Sequence, residues 1–313
     1  MLVSIDFNNF HFQSNENLGA IEIGTFLGLI LFGILLGQTY SYFGRFTKDR
    51  FALRLLVSIL VVLELVHTLL LAASIYYDTV TTWQAPRTNT YTLSTATFFE
   101  NLITIIVQLC FAHRIHRLSS PGRLSITALV CAVLAVLRFV GAFAVGVEGI
   151  LDVAHDGGTG VFVVRVSWLI TATLSVGAAA DVLIAASMIY YLRQLSSPTQ
   201  LRRTTDILNR LTRWTVQTGL LTSLAHVAAI LCFQTIGNLV WLAIYIVLAK
   251  LYSNSLLMIL NARPGSGPLT LNEATSIDFG GTTSGTRTVT TVQLSHLHHD
   301  TSQIQVDVTV DKA

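Results

Sequence analysis

Leu239–Asn261 reads LVWLAIYIVLAKLYSNSLLMILN, an apolar run of membrane-crossing length with one lysine, Lys250, near its middle. An ammonium at the centre of a lipid-spanning helix costs roughly 2.5–3.5 kcal/mol on insertion scales, so Lys250 is expected to face a protein interior, a hydrated cavity or a carboxylate. The stretch implies that the chain lies in a membrane and that neighbouring helices supply polar partners at the depth of this lysine.

Composition agrees. The 313 residues are 52% hydrophobic and 12% charged, with a mean hydropathy of +0.63, against about 25% charged in soluble domains. A polytopic, all-α membrane protein is the class these values define. The net charge of +2 and the confinement of basic residues to short connections speak for topology and against a nucleic-acid partner. Cys110, Cys131 and Cys232 all fall in apolar runs and read as small hydrophobes without a disulfide framework. Met1–Asn17 has neither a basic n-region nor an apolar h-region, so no cleavable signal peptide is expected.

A helix needs about 20 apolar residues to cross the hydrocarbon core. Seven runs meet that length: Leu18–Phe43, Phe51–Tyr77, Leu93–Ala112, Leu124–Val147, Ser167–Leu192, Trp214–Ile236 and Leu239–Leu260, the last two joined by Gly237 and Asn238. Three connections, Gly44–Arg50, His113–Arg123 and Arg193–Arg213, carry Arg45, Lys48, Arg50, Arg114, Arg117, Arg123, Arg193, Arg202, Arg203, Arg210 and Arg213; the alternate set holds only Arg87 and Arg165. The positive side faces the cytoplasm, which puts the N-terminus outside and the C-terminus inside. Trp168, Trp214 and Trp241 stand near run ends, where indoles favour the interface. The expected organisation is an extracellular segment over 1–17, a seven-helix domain over 18–262 and a tail over 263–313. The tail is rich in Gly, Ser and Thr and is expected to be disordered. Its alternating Ile304, Val306, Val308 and Val310 could add a strand to a partner's sheet.

At about 1.5 Å rise per residue, Glu64 and His67 in the second run, Asp181 in the fifth, His226 in the sixth and Lys250 in the seventh share one central layer. Glu64 and Asp181 are two carboxylates at the depth of one ammonium. An interior polar site of Lys250, Asp181, Glu64, His67 and His226 is the functional reading; a clasp fixing helix register is the structural one, and the two stay open. Glu100 and Arg138 lie at a shallower level and read as a structural ion pair. No Cys/His spacing of zinc type occurs, and HLHHD (His296–Asp300) is at most a weak metal tract. The Ser253–Ser255 triplet suits close helix packing and hydrogen bonds between helices.

DVLIAASMIYYL (Asp181–Leu192), TTDILNRLTRWTVQTGLLTS (Thr204–Ser223) and YIVLAKLYSNSLLMILNAR (Tyr245–Arg263) resemble a large fungal family of seven-helix membrane proteins, abundant in mushroom-forming species. Its shared C-terminal region is catalogued only as a domain of unknown function. The resemblance covers about residues 168 to 263. More loosely, QTYSYF with KDR (Gln38–Phe43, Lys48–Arg50) and the Glu64/His67 pair fit the layout of that family. It implies the fold and the membrane setting, and brings no catalytic residue, cofactor, ligand or partner.

Function is then a choice among classes. Seven spans with the N-terminus outside suit a receptor-like sensor of a small-molecule ligand, with a cytoplasmic partner for the basic loops and tail, the plasma membrane being the expected compartment. The rhodopsin-like acidic-Arg-aromatic triplet and Asn-Pro pair are absent: the third run ends in AHRIHR. A transporter or proton- or ion-conducting protein could use the central charged layer, although all five prolines, Pro86, Pro121, Pro198, Pro264 and Pro268, avoid the runs. A retinal photoreceptor would use Lys250 as a Schiff base, but the counter-ion position four residues earlier is Ile246. No catalytic motif is present, so no enzyme activity, no cofactor and no metal is expected.

Overall fold

Helical backbone satisfies its own N–H and C=O groups, which is why long apolar runs in lipid fold as helices. The computed structural model describes residues 15–81, 89–119, 125–195, 202–236 and 238–263. The helices are α1 (Asn15–Arg45), α2 (Phe51–Tyr76) with a π-helical extension (Tyr77–Thr81), α3 (Tyr91–Leu118), α4 (Ile126–His155), the short α5 (Phe162–Arg165), α6 (Ser167–Leu195), α7 (Arg202–Thr235) and α8 (Val240–Asn261). No strand occurs among the described residues. The chain separates into Met1–Gly267 and Pro268–Ala313; the expected tail beyond Arg263 and most of the expected N-terminal segment lie outside the described residues.

Local sequence sets several ends. Thr90 caps α3 by accepting from Leu93 N at 3.2 Å, and Ser125 caps α4 by accepting from Ala128 N at 3.4 Å. Helix α4 runs two turns beyond the expected Val147. It stops where the Asp152 carbonyl accepts from Asp156 N and Gly158 N, and where Gly157, Gly158 and Gly160 take positive φ. The basic Arg193–Arg213 connection, expected as a loop, is mostly helix: α6 extends to Leu195 and α7 begins at Arg202. Polar residues beyond the hydrocarbon impose no break on a helix already nucleated.

The bundle is a closed circuit in which α1, α2, α3, α4, α6, α7 and α8 each pack on the next and α8 returns to α1, with α8 also touching α3. Its outside is apolar, with Phe26, Ile30, Ile34, Leu55, Val62, Leu69, Val133, Leu137 and Val140 exposed. Its inside holds the charges: Glu64, Glu100, Arg138, Asp181, His226 and Lys250 are all buried. That inversion of the soluble pattern, together with six helices long and apolar enough to cross (all the long ones except α7, whose described apolar stretch is Gly219–Thr235), makes this a multi-pass membrane protein. Helix α8 is the most enclosed, 72% of its window being buried against 28–50% elsewhere.

Helices α1 and α8 run in the same direction. Asn254 Nδ2 donates to the Leu31 carbonyl at 3.1 Å and Asn261 Nδ2 to the Gln38 carbonyl at 2.9 Å, seven residues further on along both chains. Gly24 permits the approach: a Cβ there would stand 2.9 Å from the Ala243 carbonyl oxygen. Arg263, just past α8, closes the same end by an ion pair with Asp49 at 2.6 Å while lying 4.6 Å over the Phe46 ring.

Candidate functional site

Lys250 reaches α2. Its Nζ forms an ion pair with Glu64 Oε2 and donates to Thr68 Oγ1 at 2.7 Å and to the Glu64 carbonyl at 3.2 Å. The Phe32 ring of α1 lies 5.4 Å from the ammonium. A buried charge persists only when paired and hydrogen-bonded, and this ammonium has three oxygen partners and an aromatic face. His67 stands beside the pair, Nδ1 3.9 Å from Glu64 Oε2.

Asp181 does not join them. Its carboxylate accepts from Tyr252 Oη at 2.7 and 2.8 Å and from Gln108 Nε2 at 3.2 Å, and His226 Nδ1 lies 3.2 Å from its Oδ2. The same Nδ1 is 3.2 Å from the Thr222 carbonyl. The single layer expected around Lys250 therefore divides: Glu64, His67 and Lys250 form one cluster, and Asp181 and His226 belong to another. The reason is angular, since equal depth along two helices says nothing about which way their side chains leave the axis.

The expected Glu100–Arg138 pair is present, Arg138 Nη2 lying 3.4 Å from Glu100 Oε1, with Thr104 Oγ1 donating to that oxygen at 3.3 Å. Both residues are fully enclosed. Gly177 makes room for the guanidinium, since a Cβ there would lie 2.9 Å from Arg138 Nε and 2.7 Å from His226 Nε2. Neither nitrogen has a hydrogen-bond partner.

Above this polar core, toward the end of the bundle away from Asp49 and Arg263, a cavity with about 730 Å³ of empty space, counting its mouth, opens among α3, α4, α5, α6 and α8. Apolar groups such as Phe162, Leu174 and Leu242 make most of its wall, with Thr97, Asn101, Thr173 and Tyr245 among the polar ones. Among the described residues, no Asp, Glu, Lys, Arg or His lines it. Its rim is braced: Asn89 Nδ2 donates to the Gly149 carbonyl at 2.7 Å, Ser94 Oγ donates to Asn89 Oδ1 at 2.8 Å, and Gly160 N donates to Asp152 Oδ2 at 3.0 Å. Tyr245 Oη donates to Asn101 Oδ1 at 2.8 Å in its wall. Such a preformed, mostly apolar concavity with a few polar groups is the usual form of a small-molecule site. A smaller cavity lies below, lined by Phe111, Asp181, Thr222 and Tyr252 among others.

Sequence reasoning missed Tyr252, Gln108, Thr68 and the whole upper cavity. Gln108 carried a signal, being an amide inside an apolar run; the cavity carried none, because its walls are ordinary core residues. Trp241, expected at the interface, is instead buried in the cavity wall, while Trp168 is 70% exposed. The HLHHD tract lies outside the described residues, among which no cluster of metal-ligating side chains occurs.

No curated protein and no solved structure matches this chain. A family model described as a family of unknown function (DUF6534) matches residues 177–265, a stretch that takes in Asp181, His226, Lys250 and Tyr252 and leaves Glu64, Glu100 and Arg138 outside. The chain thus carries a DUF6534 domain formed by most of α6 together with α7 and α8.

Proposed function

We propose that this is a receptor-like, seven-span membrane protein that binds a small molecule in the upper cavity. Support for the span count comes from the parallel course of α1 and α8, which requires an odd number of crossings. With six helices already long enough, α7 is the seventh. The excess of Lys and Arg at the Asp49 end orients that end to the cytoplasm and the N-terminus outward, so the cavity faces outside, and the basic loops and tail are left for a cytoplasmic partner. The plasma membrane is the compartment in this reading, and the protein has no catalytic role.

The single observation that carries the proposal is the preformed, mostly apolar cavity at the end opposite the basic loops. Gly146 lies in its wall, and a Cβ there would meet only Thr97 Oγ1, at 4.0 Å. The test is a stability screen of the reconstituted protein against small molecules, since a ligand binding only the folded state raises its melting temperature. Stabilisation that survives in Gly146→Ala and disappears in Gly146→Phe supports the reading; stabilisation unaffected by Gly146→Phe, or none from any compound, contradicts it.

A second reading, a transporter or proton- or ion-conducting protein, draws on Asp181 and Tyr252, which belong both to the polar core and to the lower cavity. Flux across proteoliposomes that Asp181→Asn abolishes would favour it. A retinal Schiff base is disfavoured, because the Lys250 amine is committed to Glu64 and Thr68 and neither of these cavities has it in the wall.

A further inference from the structure

We infer that the ligand of the upper cavity is a largely apolar molecule whose carbonyl oxygen accepts a hydrogen bond from the side-chain amide of Asn101. The inference rests on the ligand-binding reading above and names the chemistry by which that cavity selects.

Asn101 stands on α3 in the cavity wall and is only 2% exposed. Its Oδ1 accepts from Tyr245 Oη at 2.8 Å, which holds the amide in one orientation and leaves Nδ2 with two N–H groups to place. Nδ2 has no acceptor among the described residues. Unlike the unpaired nitrogens of Arg138, His226 and Trp241, it is not closed off from a molecule the size of water. In a residue so enclosed, the surface left to that nitrogen opens into the cavity that the residue lines. Neighbouring polar groups of the wall are already spent: Ser94 Oγ donates to Asn89 Oδ1, Asn89 Nδ2 to the Gly149 carbonyl and Thr97 Oγ1 to the Ser94 carbonyl at 2.8 Å. Asn101 is thus a donor that Tyr245 holds in place, that the cavity reaches and that the protein leaves unmade. Water serves such an amide while the space is wet. A hydrocarbon filling the apolar part of the cavity expels that water and strands the N–H, whereas a carbonyl oxygen takes its place. One fixed donor in a mostly apolar wall therefore selects for one acceptor on a mostly apolar framework.

Two probes of one framework test it: 2-acetylnaphthalene, which carries the carbonyl, and 2-isopropenylnaphthalene, its isostere with an alkene carbon in place of the oxygen. Affinities are read from the melting-temperature rise of the full chain in nanodiscs and in lipid-free micelles, each corrected for partition of the probe into protein-free discs or micelles. The unaltered protein is expected to bind the ketone about two- to tenfold more tightly than the alkene, the range of one neutral hydrogen bond. Asn101→Leu should abolish that preference and leave the alkene bound as before. A second readout needs no variant: the infrared carbonyl stretch of the isotope-labelled, bound ketone should lie below its value in a hydrocarbon solvent. A ketone bound no more tightly than the alkene by the unaltered protein, a bound carbonyl at its hydrocarbon frequency, or a preference that persists in Asn101→Leu overturns the inference while leaving a binding cavity intact. Ketone binding in micelles that is absent in nanodiscs gives the cavity to a bilayer lipid and also overturns it. Binding of both probes that Gly146→Phe does not reduce overturns the cavity reading itself.

Discussion

Lys250 and Tyr252 are two residues apart on α8, yet their polar tips leave in opposite directions, Lys250 to Glu64 on α2 and Tyr252 to Asp181 on α6. Positions i and i+2 of an α-helix are separated by about 200° around the axis, so one helix can anchor two polar clusters without joining them. Tyr252→Phe therefore touches one cluster only. Asp181 loses its shortest hydrogen bond and keeps Gln108 and His226, and a cost of about 1–3 kcal/mol is expected for a buried acceptor deprived of one partner. The loss should add to that of Lys250→Met, as read from chemical unfolding in mixed micelles.

Glycines in this bundle divide by what surrounds them. Gly177→Ala places a methyl 2.7 Å from His226 Nε2 and 2.9 Å from Arg138 Nε, and the fixed packing there should make the change cost about 1–3 kcal/mol despite alanine's better helix propensity. At Gly33, with nothing within 4 Å of a Cβ, the same substitution should be neutral or stabilise by up to about 1 kcal/mol. Thermal denaturation of the two variants side by side checks the contrast, and an equal response at both positions would contradict it.

The clasp at the basic end is pH-dependent. Burial pushes the Asp49 carboxyl up, but hydrogen bonds from Arg263 and Tyr42 and the Arg263 charge outweigh it and hold Asp49 below its ordinary carboxylate range. A depressed value means that the folded protein prefers the ionised acid. The stabilisation is complete above the ordinary aspartate range near pH 4 and is lost as the pH falls through the lowered folded value. Asp49→Asn should thus lower the melting temperature at pH 7, with the difference from the unaltered protein shrinking in acid. A difference that stays constant with pH would assign the effect of the clasp to packing of Arg263 on Phe46.

Depth was legible in the sequence and direction was not. Apolar runs placed the long helices, and rise per residue placed Glu100 level with Arg138, which do meet. The same reasoning set Asp181 beside Lys250 and failed, because the two leave α6 and α8 on faces that only packing decides. Tyr252 was overlooked because a tyrosine in an apolar helix reads as core; only its contact with Asp181 gives it a polar role. The upper cavity could not be read at all, since Gly146, Leu174 and Trp241 are unremarkable in sequence and become a wall only when α4, α6 and α8 come together. Helix ends shifted where a polar stretch, such as Thr204–Arg213, stayed helical beyond the apolar region.

The division of the core into two clusters is tested most directly by two double-mutant cycles for unfolding free energy, Lys250→Met with Glu64→Gln and Lys250→Met with Asp181→Asn. Lys250→Met alone leaves Glu64 as a buried, unpaired carboxylate, a loss of about 3–5 kcal/mol. The structure predicts that Glu64→Gln restores much of it, with a coupling of about 2 kcal/mol or more, and that Asp181→Asn restores nothing beyond the additive value, within about 0.5 kcal/mol. Coupling of Lys250 to Asp181 as large as to Glu64 would contradict the account.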